Sequence, residues 1–103
     1  MKRKIKERQA ARKFLADVPP EHVFRCKDGK VLRNVKELGD ALSVMSKETY
    51  GYHWNAGKND FSNWVRDIIG DVKLAKELEG ATSQSLAAWE VATRLAYLAR
   101  WRP

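Results

Sequence analysis

Acidic side chains are missing from both ends of this sequence: none occurs in the first six residues and none in the last thirteen. Cysteine occurs once, as Cys26, which excludes an internal disulfide and any cysteine-based metal cluster and leaves the thiol as a small packing residue. Histidine occurs twice, at His22 and His53, in neither a HExxH pattern nor a Cys/His cluster, so the sequence offers no metal site and implies no cofactor. A glycine-rich phosphate loop is also lacking. No run of about 18 apolar residues is present to cross a membrane. The basic start is not followed by the apolar stretch of a signal peptide, because Glu7, Arg8, Gln9, Arg12 and Lys13 interrupt it. A cytoplasmic location is expected.

What is present is aromatic and charged. Four Trp, three Tyr and three Phe are many for 103 residues, and a disordered chain would be poor in them. The length suffices for one domain with one modest core. The formal net charge is +7. Residues 1–13 hold seven basic side chains against Glu7 alone, residues 14–90 hold ten basic and twelve acidic ones, and residues 91–103 hold three arginines and no acid. The middle of the chain is therefore close to neutral, and both ends are positive. Charge gathered in this way is the usual footprint of phosphate contact, since Lys and Arg that neutralise phosphates release condensed counterions. An acidic protein or membrane surface, and a solvated tail that only aids solubility, are the other readings of the same feature.

The periodicity predicts a mainly α chain: a compact bundle of about five or six helices, one short β-hairpin and a basic N-terminal helical arm. Residues 1–18 form the arm and 19–103 the single small domain. Good helix formers fill residues 2–17, ahead of Pro19-Pro20. Ala11, Phe14, Leu15 and Val18 make an apolar stripe that should dock the second half of this helix, while its first half projects. Val23, Phe24 and Cys26, then Asp28-Gly29, then Val31 and Leu32, read as a hairpin. Helix starts are expected at Asn34, at Ser46, at Asn59 or Asp60, at Asp71, and at Thr82 or Ser83. Gly70 should end one helix and Gly80 another. In the last helix, from about 84 to 101, large apolar residues spread around much of the circumference, which suits a core helix or a partner seam. Glu90 and Arg94 are spaced to pair, and Ala88, Ala92, Ala96 and Ala99 would allow close packing.

Between Tyr50 and Trp64 lie five aromatics, a histidine, three asparagines, an aspartate and a lysine. The pattern His53-x-Asn55-x-x-x-Asn59-Asp60-Phe61-x-x-Trp64, followed by Gly70-Asp71 and Leu74-Ala75, resembles a small, mainly archaeal domain family of uncharacterised function. Phe24, Asp28-Gly29, Leu38, Leu42 and Met45 fit the same family, and the resemblance covers about residues 23–78. It brings no activity with it. The basic arm and the Trp-rich last helix fall outside it. His53, Asn55, Asn59, Asp60 and Trp64 read as a structural network. A histidine near an aspartate is the minimum for acid–base chemistry, but neither Ser62 nor Cys26 has the surroundings of a nucleophile.

The expected function is non-enzymatic nucleic-acid binding, with RNA favoured over DNA and a ribosome or other ribonucleoprotein as the setting. Lys2, Arg3, Lys4, Lys6, Arg8, Arg12, Lys13, Lys58, Arg100 and Arg102 are the expected phosphate contacts. Trp54, Trp89 and Trp101 are the expected partner contacts, Trp54 as an exposed loop ring beside Lys58. Two alternatives stand beside this reading. One is a protein–protein adaptor using the apolar last helix. The other is a DNA-binding or chromatin protein with a helix-turn-helix over residues 60–79, whose second helix mixes acids with lysines and suits a major groove poorly.

Overall fold

Five of the helices begin on a short polar side chain. Asn34, Ser46, Asn59, Asp71 and Ser83 each accept, through a side-chain oxygen, the backbone N–H three residues on, those of Glu37, Thr49, Ser62, Leu74 and Leu86. Each bond satisfies a donor that the first helical turn leaves open, worth about 1 kcal/mol. The alternatives resolve to Asn59 over Asp60 and to Ser83 over Thr82.

The computed structural model describes residues 2–101, with Lys2 described by its backbone alone. In chain order these form α1 (Lys2–Leu15), a 3-10 turn (Pro20–His22), β1 (Phe24–Arg25), β2 (Val31–Leu32), α2 (Val35–Val44), α3 (Lys47–His53), β3 (Trp54–Asn55), β4 (Lys58–Asn59), α4 (Asp60–Trp64) running into a π-turn (Val65–Ile69), α5 (Val72–Gly80) and α6 (Gln84–Ala99). The chain is mainly α, as its periodicity requires. The expected hairpin is present, with Phe24 opposite Leu32 and Gly29 at a positive φ of 97° in the turn. A second hairpin was not expected. Trp54 pairs with Asn59 and Asn55 with Lys58, and the Asn55 side chain accepts the Gly57 N–H across the turn. Two residues a side is too little for a period-2 signal.

Large apolar side chains from four helices and the first hairpin meet in one core: Leu38 and Leu42 of α2, Phe61, Val65, Leu74 and Leu78, Val91 of α6, and Phe24 and Leu32. The α2–α6 pair is the most extensive. Gly39 lets these helices close together, since a Cβ there would stand 3.1 Å from Val91 Cγ1. Helix α6 is therefore central, packing on α1, α2 and α5.

Several expectations are corrected here. The buried face of α6 carries Ala87, Val91 and Leu98, so Ala92, Ala96 and Ala99 face outward and Ala88 is half-buried. Apolar residues all round a helix do not mark which side is covered. Arg94 does not pair with Glu90. It reaches Asp71 instead, with Nε 2.8 Å and Nη2 3.2 Å from the two carboxylate oxygens. Asp71 is buried, and left without a cation its carboxylate would be far more costly than that of the half-buried Glu90. Helix α1 stops at Leu15 and α6 at Ala99, two residues short of each expected end.

Candidate nucleic-acid interface

Helix α1 lies against α6 and α2 through Glu7, Ala10, Ala11, Phe14 and Leu15, with Ala11 fully buried. In its first half Arg3, Lys4, Ile5 and Lys6 are exposed, and so are Arg8, Arg12 and Lys13 on the outer face further along. Glu7, the only acid of α1, turns inward, and its carboxylate accepts the Tyr97 hydroxyl of α6. The outward face of α1 is thus left with cations, Ile5 and Gln9, and no acid.

Half of the described cations of the body are treated differently. Arg33, Lys36, Lys58, Arg66, Lys73 and Arg94 are each paired with a carboxylate. Among the described residues no such partner faces Arg3, Lys4, Lys6, Arg8, Arg12 or Lys13. The exposed pairs of the body add little stability, about 0–1 kcal/mol each, but they cancel its field locally. Arg100 is exposed beyond the end of α6. Arg102 and the side chain of Lys2, both expected phosphate contacts, lie outside the described residues.

The aromatic-polar segment is built around a buried histidine. The backbone N–H of Lys27 points at His53 Nε2 from 3.0 Å, and because that amide can only donate, Nε2 is the bare nitrogen. The ring proton is then on Nδ1, which donates to Asp60 Oδ2 at 3.0 Å. Lys58 Nζ lies 2.9 Å from the same oxygen. Partial burial pushes the Asp60 carboxyl up, but the hydrogen bonds from Lys58 and His53 outweigh this and hold it below its ordinary value. With both ring nitrogens engaged by the fold, His53 has no free site for a substrate proton. Phe24 and Phe61 pack on its ring at 5.0 and 5.4 Å.

The rest of the motif holds segments together. Asn59 caps α4 and donates to the Leu78 carbonyl, Ser62 donates to the Ala75 carbonyl, and Trp64 Nε1 donates to the His22 carbonyl at 2.8 Å. Asn55 bridges its own turn, donating to the carbonyls of Gly51 and Tyr52. Cys26 is buried beside them. Desolvation raises its thiol, Asp28 adds to this and Lys30 offsets part of it, so the pKa is pushed from 9.0 to about 11. A thiol held protonated is a poor nucleophile and fits the packing role.

Trp54 is not the exposed ring of this region. It is half-buried and stacked on Tyr50 at 5.9 Å with the planes 19° apart. The exposed aromatic is Tyr52, which sequence reasoning missed. Its ring stands edge-on to His53, and the ammonium groups of Lys27 and Lys58 lie 4.4 and 4.3 Å from its centroid. Arg25 ends β1 two positions before Lys27 of the hairpin turn, with Cys26 buried between them, and both cations are exposed. That alternation, cation-buried-cation, was the sequence signal available for this patch. Of the other expected contacts, Trp89 is 60% exposed and Trp101 is half-buried, its ring 6.5 Å from that of Tyr97.

No protein-family model, curated protein or solved structure matches the chain. Among the described residues no helix is long and apolar enough to cross a membrane.

Proposed function

We propose that this protein is a non-enzymatic nucleic-acid-binding protein of the cytoplasm, with RNA favoured over DNA and a ribonucleoprotein particle such as the ribosome as its setting. The observation that carries the reading is the contrast in pairing. Among the described residues the body pairs six of its twelve cations with carboxylates, whereas α1 turns its one acid inward to Tyr97 and pairs none of its described cations with a carboxylate. On an amphipathic helix this face is shaped to lie along a phosphate backbone. Arg8 and Arg12 are one turn apart, and arginine offers a planar fork that grips phosphate on two oxygens.

The test replaces Lys6, Arg8, Arg12 and Lys13 by Gln, which removes charge and keeps Glu7 and Ala11. Binding of an RNA probe by the parent should weaken steeply with salt. The substituted chain should bind less tightly, its log–log salt slope smaller by about 0.7–0.9 for each phosphate left without its cation. Equal affinity and an equal slope would end the proposal.

A protein–protein adaptor is the second reading, favoured by one observation. Trp89 and Leu86 are exposed on the outer side of α6, beside Ala92 and Ala96. Such an interface should survive high salt and break on Trp89→Ala. The DNA alternative is weaker: Val72, Lys73, Lys76 and Glu79 make the exposed row of α5, a mixed surface for a major groove.

A further inference from the structure

We infer that Tyr52, flanked by Lys27 and Lys58, is a stacking platform for an unpaired nucleotide, a contact separate from the basic arm. The inference rests on the nucleic-acid reading above and adds what that reading lacks, a surface able to recognise a base.

Four observations converge. Tyr52 is 48% exposed, at the end of α3. Its neighbours hold it firmly, since the His53 ring against it is fixed at both nitrogens by Lys27 and Asp60. Two ammonium groups lie within 4.4 Å of the ring centroid, one from each of the two hairpins. Arg25 extends the positive strip along the first hairpin, and among the described residues neither Arg25 nor Lys27 has a carboxylate partner.

A half-exposed ring with two mobile-tipped cations over it matches one chemistry closely: a base on the ring with phosphates on the lysines. In the free protein the ammonium groups rest on the ring, an interaction worth only about two- to fivefold at an exposed site. Stacking a base is worth roughly 5- to 100-fold. The base therefore displaces an ammonium, which swings to a neighbouring phosphate. Lys58 need not leave Asp60 to do so, because an ammonium has three protons to donate. The ligand must be unpaired, since a duplex hides its base faces. Four clefts among the described residues are lined by residues other than Tyr52, Lys27 and Lys58.

The experiment measures anisotropy of a labelled oligouridylate, a labelled oligothymidylate and a labelled duplex with the full chain. Tyr52→Ala should weaken single-strand binding roughly 5- to 100-fold and change duplex binding little. Tyr52→Phe should stay within about twofold of the parent, because it keeps the stacking face. Lys27→Ala should reduce the single-strand salt slope by about 0.7. Equal losses on uridylate and thymidylate identify a base of either nucleic acid, and a loss confined to uridylate identifies RNA. Unchanged single-strand affinity in Tyr52→Ala, an equal loss on the duplex, or a Tyr52→Phe as weak as Tyr52→Ala each overturns the platform while leaving the arm's role standing. If the parent binds none of the three probes, both readings fall together.

Discussion

Asp71 does two things with one carboxylate. One oxygen caps α5 through the Leu74 N–H, and both oxygens take the Arg94 guanidinium from α6. The pair is shut away from water, the Asp71 side chain 1% and the Arg94 side chain 12% exposed. Arg94→Ala should therefore cost about 3–5 kcal/mol, because the charge left behind has no other cation. Adding Asp71→Asn to that variant should restore part of the loss, since the amide still caps α5 and carries no charge. Urea unfolding of the two variants and the parent measures both effects, and a cost below about 1 kcal/mol for Arg94→Ala would show the pair to be unimportant.

Two other residues contribute to the pH dependence of the fold. Asp60 is held below its ordinary value of 3.8, so the unfolded chain takes up that proton first as acid is added. Its contribution is complete above about pH 4 and is lost as pH falls through the lower folded value. Cys26 is the reverse case, raised from 9.0 to about 11, so the unfolded chain gives up the proton first. Its contribution is complete below about pH 9 and is lost as pH rises toward 11. Urea midpoints against pH should show a plateau between these limits. Asp60→Asn should flatten the acid limb and Cys26→Ala the alkaline one. An unchanged limb in either variant removes that residue as its cause.

At the scale of elements, α1 divides near Glu7. Residues 2–6 can be removed without deleting a known buried side chain, whereas removal through residue 13 also takes away Ala11, fully buried, and the Glu7–Tyr97 hydrogen bond. The short truncation should leave stability within about 0.5 kcal/mol while shrinking the salt slope of binding. The long one should destabilise by about 2 kcal/mol or more, so its binding loss would mix charge with unfolding. Thermal melts beside binding isotherms separate the two, and equal melting points for both truncations would mean that α1 is not part of the fold.

The same division explains what could be read in advance. A cap is a bond between residues three apart, so Asn34, Ser46 and Asp71 announce their helices from the sequence alone. The π-turn at Val65–Ile69 leaves no such trace. It closes with the Gly70 N–H on the Val65 carbonyl, a bond allowed by the left-handed Gly70 and shaped by the packing of α4 on α5. The members of the candidate site were visible as residue types, but their partners were not. Nothing near Tyr52 in sequence says that Lys27 will lie over its ring, and nothing near Arg94 points to Asp71 rather than Glu90. Those choices are made by tertiary packing across separations of about two dozen residues.

For the whole molecule, the consequence lies in the bond between Glu7 and Tyr97, which brings together parts of the chain 90 positions apart. Arg100 follows Tyr97 by less than a turn, so one exposed cation at the end of α6 lies near the cationic face of α1. Positive charge gathered beside a nearly neutral body gives the molecule a dipole moment. Over the last ten or so ångströms before contact, about one Debye length at physiological salt, a polyanion exerts a torque on it as well as a pull. If the target is the nucleic acid proposed above, the protein turns like a compass needle and arrives cationic pole first. Its angle of approach is then chosen before any side chain has touched the target.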